Sequence, residues 1–290
     1  MRILATALMA VFLCSLKPRR INMRAFLVAV LSALFLSTAG VAQGSCDTKH
    51  TEMLYTVVLV DAAGGSGSGT VIYSGERDGK VATYVLTNFH VIQNGVNIKE
   101  EWDPKKGKKV EKELRTSVTA NWFDYNDCSR NIGTRGKTAD IVAYDKSADL
   151  ALLKLHDTER PVFPVAQMIV EDASPHLGDE VWAVGAGMGE PPFMTKGNAA
   201  FLDKQINGHR YIMATAPIIF GNSGGALFRF SPDRDRHELI GVPSRARAAG
   251  WQIITHMAWS IPMSTVRKFL RDNDLSYIVG DKPKDDAKEE

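Results

Sequence analysis

Ten short runs rich in β-branched and aromatic residues, at 54–60, 70–74, 81–86, 117–123, 139–144, 150–155, 180–184, 211–214, 226–230 and 239–242, alternate with stretches carrying Gly, Asp and Asn. Strand-length segments at this spacing, with turn chemistry between them, read as an all-β barrel or sandwich. One helix stands out, at 264–274, with Pro262 just before it and Val266, Phe269 and Leu270 on one face. The charge-dense stretch 100–113 (EEWDPKKGKKVEKE) reads as a solvated loop or exposed hairpin rather than a binding patch.

The first 42 residues follow another pattern. An apolar run at 3–16, a basic break Lys17-Pro18-Arg19-Arg20 and a second apolar run at 25–36 precede Gly40-Val41-Ala42. The second run, with Arg24 before it and small residues after it, reads as a secretory signal. Met23-Arg24 would itself be a normal start, so residues 1–22 read as an upstream extension, with Met1 and Met23 both open as the start. The competing reading is a membrane anchor of two short helices, but both runs fall short of the roughly 20 apolar residues a spanning helix needs. This segment holds five bases and no acid, so the remainder carries 30 bases against 33 acids, a net charge of −3. The overall +2 therefore belongs to the targeting segment and implies no nucleic-acid partner. Residues 43–280 are expected to form one folded domain with a full core, and 281–290 a disordered charged tail. Of three cysteines, Cys14 leaves with the signal, so Cys46 and Cys128 form the only pair left in an oxidising compartment. Lipidation of Cys46 is the weaker alternative, because Gln43-Gly44-Ser45 lacks the leucine expected three residues before such a cysteine. The remaining histidines show no paired metal-ligand spacing. Neither a metal nor a cofactor is assigned.

Three blocks carry chemistry. Gly221-Asn222-Ser223-Gly224-Gly225 sets one hydroxyl among glycines. A glycine at 221 allows a positive φ, so the N–H groups of Gly221 and Ser223 can converge on one oxyanion. Upstream, Val85-Leu86-Thr87-Asn88-Phe89-His90-Val91 is an apolar strand ending in a histidine, and Asp149 opens the apolar run 150–155. A serine hydroxyl needs a base that works near neutrality, and histidine is one. That base needs a buried carboxylate to fix its tautomer. The order His90, Asp149, Ser223 separates this chain from the Asp-His-Ser and Ser-Asp-His solutions.

The blocks TNFHV, DLALLKL and GNSGGAL, with the run Gly65-Ser66-Gly67-Ser68-Gly69, resemble the trypsin-like serine proteases of the bacterial Deg/HtrA type over about residues 56–270. The resemblance implies two six-stranded antiparallel β-barrels of chymotrypsin type, a short C-terminal helix and a site in the crevice between the barrels. It implies His90 as general base, Asp149 as its orienting carboxylate, Ser223 as nucleophile, and Gly221 and Ser223 as oxyanion donors. The partners it implies are polypeptide substrates, in the periplasm or outside the cell, with no stable membrane insertion once the signal is removed. Pocket walls by resemblance are Pro217, Ile218, Ser244, Ala246, Met257 and Ala258. No acid stands among them, which favours small or medium apolar residues at the cleaved position over Lys or Arg. Ser244 is equally readable as a hydroxyl near Asp149 or as a plain strand serine. Only 15 residues follow Leu275, too few for a PDZ module, so substrate capture through a C-terminal peptide groove does not carry over. Asn222 replaces the aspartate that pairs with a freshly cut N-terminus in digestive relatives, so activation by that route is not expected; the stretch 187–196 is the expected regulator instead. A catalytically silent binding module and an envelope structural protein remain the alternatives.

Overall fold

Residues 48–77, 79–128, 130–156 and 163–280 are described by a computed structural model. They belong to the second of the chain's two units, Cys46–Glu290. The first barrel takes its strands in the order β1 (Val57–Ala62), β2 (Gly65–Arg77), β3 (Lys80–Thr87), β8 (Leu150–Leu155), β7 (Arg130–Asp145) and β6 (Val118–Asn126), and closes. The second runs β9 (Glu180–Gly185), β12 (Ala226–Ser231), β13 (Arg236–Ala249), β14 (Gln252–Pro262), β11 (His209–Ala214) and β10 (Phe193–Ile206), and also closes. All pairings within them are antiparallel. The all-β architecture of two six-stranded barrels is as expected.

Strand β8 shows why the sequence commits to this arrangement. Successive side chains of a strand point to opposite faces, yet LALLKL is apolar on both as far as Leu153, and only Lys154 is exposed. Ala151, Leu153 and Leu155 join Val58, Val60, Val71 and Val85 in the core of the first barrel. Leu150 and Leu152 point the other way, into a core shared with Ile72, Leu86, Val184 and Leu227. The second face is dry because the other barrel covers it. Each such leucine, fully buried, contributes about 1.5–3 kcal/mol.

Several strands run further than their apolar runs. β2 starts at Gly65, within the glycine-serine run, and the run 139–144 is only the end of β7. β10 and β14 fall outside the ten runs; β10 (FMTKGNAAFLDKQI) mixes Lys, Gly, Asn and Asp into an outward face. The stretch 100–113 lies in a hairpin of β4 (Val96–Asp103) and β5 (Lys108–Arg115), with exposed cross-strand pairs Lys109–Glu100 at 3.2 Å and Lys112–Glu101 at 3.0 Å. Such exposed pairs are worth little.

The C-terminal helix, Met263–Asp272, buries Val266, Phe269 and Leu270 as its spacing predicts. Beyond it, the turn Ser276–Val279 crosses to the first barrel, where Tyr277 Oη donates to Tyr84 Oη at 3.0 Å. Cys128, at the tip between β6 and β7, is disulfide-bonded. Its partner lies outside the described residues, as Cys14 and Cys46 both do. The targeting segment 1–42 and the tail 281–290 also lie outside them.

Candidate active site

β3 ends at Thr87, and the single helical turn Phe89–Ile92 that follows carries His90. Asp149 sits at the mouth of the turn between β7 and β8. There Asp145 Oδ1 accepts the amides of Ser147 at 2.8 Å and Ala148 at 3.0 Å, an Asx turn that shapes the corner. Asp149 itself has φ 56°, a left-handed conformation that aspartate tolerates better than most residues. Asn88 pins it, donating from Nδ2 to the Asp149 carbonyl at 2.8 Å.

The carboxylate of Asp149 is surrounded by donors. His90 Nδ1 lies 3.0 Å from Oδ1 and 2.9 Å from Oδ2, and the His90 amide donates to Oδ1 at 3.0 Å. Ser244 Oγ, from β13 of the other barrel, donates to Oδ2 at 2.6 Å. Burial pushes the pKa of Asp149 up, but the hydrogen bonds and charge of His90 with the Ser244 hydroxyl outweigh it and hold the group below the usual carboxylate range. The carboxylate therefore stays ionised and fixes the proton of His90 on Nδ1, leaving Nε2 as the basic nitrogen. The His90 side chain is 41% exposed against 10% for Asp149, so the base faces solvent while its anchor does not.

Ser223 stands in the turn between Ala216 and β12. Gly221 has φ 96° and Gly224 φ 83°, which only glycine adopts without strain. Asn222, 1% exposed, closes the loop on itself: its Oδ1 accepts the Ile219 amide at 3.0 Å, and its Nδ2 is buried without a partner among the described residues. The Phe220 carbonyl accepts the Met188 amide at 2.7 Å. In a trans peptide the C=O and the following N–H point oppositely, so this bond turns the Gly221 N–H away from Met188. Among the described residues the amides of Gly221 and Ser223 make no hydrogen bond. Both N–H groups are therefore available to an acceptor on a bound group. Ser223 Oγ donates to the Ser244 carbonyl at 3.5 Å, and no hydrogen bond joins it to His90 among the described residues.

The barrels are joined at this point by a residue that sequence reasoning passed over. Ser68 of β2 donates from Oγ to the Gly221 carbonyl at 2.6 Å and accepts the Ala186 amide at 2.8 Å. Its own amide donates to the Ser223 carbonyl at 2.7 Å, and its carbonyl accepts the Thr87 hydroxyl at 2.7 Å. One serine thus fastens the oxyanion loop to the strand leading to His90. Gly67 makes the approach feasible, since a Cβ there would stand 2.6 Å from Val91 Cγ2 and 3.1 Å from the Ser223 carbonyl oxygen.

The expected pocket walls come together in part. Ala246 pairs with Ala258 across β13 and β14, and the Ile218 amide donates to the Thr255 carbonyl at 3.0 Å, two residues before Met257. Pro217 is exposed, with its carbonyl held by Thr195 Oγ1 at 2.6 Å. The Ser244 side chain is turned to Asp149 instead. The stretch 187–196 divides into the turn Gly187–Gly189, whose Met188 has φ 58°, and the start of β10.

Residues 67–242 match the trypsin-like peptidase domain family. Among solved structures, a serine endoprotease from Yersinia pestis is similar at 22% identity, with a TM-score of 0.54, over 79% of this chain and 66% of that one. The HtrA-type protease AlgW with tripeptide is similar at 19% identity, with a TM-score of 0.56, over 80% of this chain and 64% of that one. The chain thus spans less than two thirds of the length of each, 66% and 64%, and at these identities the likeness is one of fold.

Proposed function

Since the chain belongs to the trypsin-like peptidase domain family, we propose that it is an exported serine endopeptidase hydrolysing peptide bonds of unfolded polypeptides through His90, Asp149 and Ser223. The observation that carries this reading is the Asp149 carboxylate, which receives both N–H groups of His90 from one barrel and the Ser244 hydroxyl from the other. Ser223 Oγ attacks the scissile carbonyl carbon while His90 Nε2 takes its proton. The resulting oxyanion accepts from the Gly221 and Ser223 amides. Collapse breaks the C–N bond, His90 protonates the leaving amine, and an ester to Ser223 remains. Water, deprotonated by His90, opens that ester, and Ser223 recovers its proton. Reaction requires Ser223 Oγ to leave the Ser244 carbonyl and turn towards His90, a hydroxyl rotation of the kind that substrate binding completes.

The apolar run 25–36 and its small-residue flank support export, with 43–280 as the protease domain and 281–290 as a tail. No helix among the described residues is long and apolar enough to cross a membrane. The acid-free walls at Ile218, Ala246 and Ala258 favour small or medium apolar residues at the cleaved position. The Met188–Phe220 bond supports the turn Gly187–Gly189 as the element that sets the oxyanion loop.

One observation favours a catalytically silent binding module, namely that Ser223 bonds to Ser244 and not to His90. Labelling with a fluorophosphonate probe separates the two. Labelling of the parent chain that is lost in Ser223→Ala is expected of an enzyme. A folded parent that does not label, yet binds peptide in the cleft, is the silent module.

A further inference from the structure

Strands β13 and β14 extend beyond the barrel as a hairpin closed by the pair Ala249 and Gln252. The connection is Gly250-Trp251, with Gly250 at φ 60°, the two-residue turn with glycine first that such hairpins favour. This geometry thrusts Trp251 outward, and it is fully exposed, at 104%. Arg247, Ala248, Ala249 and Gln252 are exposed beside it, and Arg247 stands opposite Ile254 across the ladder. Between Leu239 and Met263 the chain carries Arg245, Arg247 and His256 and no acid at all. Arg245 lies over the Tyr211 ring at 5.4 Å, which leaves Arg247 as the cation nearest the tip.

We propose that this hairpin tip is a docking element for an anionic lipid surface, with the Trp251 ring at the boundary of headgroups and acyl chains. Tryptophan is favoured at that boundary because its ring is apolar and its N–H polar. Arginine set back from it meets the negative surface potential of anionic lipid. The size points the same way. A stable protein interface engages about 20–30 residues a side, whereas the hairpin tip 247–252 offers only six. Bilayer docking here is independent of the proteolytic reading. If both hold, β13 sets the cleft against chains at the lipid surface, since Ser244 and Arg247 lie three positions apart on that strand.

The test isolates one ring among the five tryptophans by subtracting the fluorescence of Trp251→Phe from that of the parent chain, so vesicle binding elsewhere in the chain does not enter the signal. On vesicles of phosphatidylglycerol with brominated acyl chains, the Trp251 component should be quenched by about half or more. On phosphatidylcholine alone it should be unaffected. Arg247→Glu should weaken this quenching about tenfold in lipid concentration. An unquenched Trp251 on the anionic vesicles overturns the proposal, as does equal quenching on both lipids. A Trp251 component that shifts only when an unfolded polypeptide is added assigns the tip to protein and also overturns it. Trp251→Phe should leave peptide hydrolysis in solution unchanged, so failure of this proposal and failure of the proteolytic one are read separately.

Discussion

Replacing Gly221 by alanine would place a Cβ 2.6 Å from the Ala186 carbonyl oxygen and 2.7 Å from the Met188 nitrogen. Both are backbone atoms and cannot swing aside, and φ 96° costs a non-glycine residue about 1–3 kcal/mol by itself. The loop must therefore move, and the peptide between Phe220 and Gly221 moves with it. That peptide carries one of the two donors proposed for the oxyanion, and losing one such donor costs about 10²–10³ in turnover, or about 3–4 kcal/mol of transition-state stabilisation. Gly107 is the control: it has φ 59°, and a Cβ there meets nothing within 4 Å. Gly107→Ala should lower the thermal midpoint through its left-handed backbone alone, at about 1–2 kcal/mol. Steady-state hydrolysis of a peptide substrate, with kcat and KM resolved, then separates the variants. Gly221→Ala should lose kcat with KM near that of the parent, because the donor acts chiefly in the transition state, and Gly107→Ala should lose neither. A folded Gly221→Ala enzyme whose kcat stays within about threefold of the parent would refute the placement of this donor.

Ser244→Ala removes one donor from a buried anion and should lower the unfolding free energy by about 2 kcal/mol in urea titrations, with a smaller loss of kcat than Ser223→Ala; no change in either quantity contradicts the coupling. Because the folded pKa of Asp149 is depressed, its contribution to stability is complete above the unfolded carboxylate value of about 3.9 and is lost as pH falls through the lower folded value. Urea midpoints of the parent should fall over that acid window more steeply than those of Asp149→Ala, and parallel curves would remove Asp149 as the source. If Cys128 pairs with Cys46, the bridge closes a loop of roughly 80 residues worth about 4 kcal/mol; non-reducing peptide mass spectrometry should find the Cys46–Cys128 peptide, and an alkylatable Cys46 rules the pairing out. Chains beginning at Gln43, at Ser45 or behind a short tag should cleave unfolded casein at similar rates, because Asn222 offers no charge to a terminal amine; activity confined to one terminus would show activation by a different route.

His90, Asp149 and Ser223 could be picked out because each sits beside its own local signature: an apolar strand before His90, one after Asp149, glycines around Ser223. Strand β8 was legible to the residue, since burial on both faces leaves a run that is apolar but for the exposed Lys154. β10 was not, because its exposed face admits Lys, Gln and Asp and dilutes the alternation. Ser68 escaped for another reason. It is a small residue in a glycine-serine run, and its partners Gly221 and Ala186 lie 153 and 118 positions away, so no local pattern encodes the contact. The flanking Gly67 was the available clue, as a glycine inside a strand often marks close approach by another backbone. Ser244 stood between two readings until the fold brought it across the barrel seam to Asp149.

That seam also fixes an order of events during synthesis. Translation proceeds from the N-terminus, and domains begin to fold as they emerge. His90 follows β3 and Asp149 precedes β8, and the barrel those strands belong to is complete once Leu155 has been made. Ser223 follows 68 residues later, and the Ser244 hydroxyl that completes the shell of Asp149 comes later still. A ribosome stalled between Leu155 and Ser223 therefore carries His90 and Asp149 without Ser223. On the proteolytic reading, the chain is harmless to its own nascent segment for as long as its two halves are not both made.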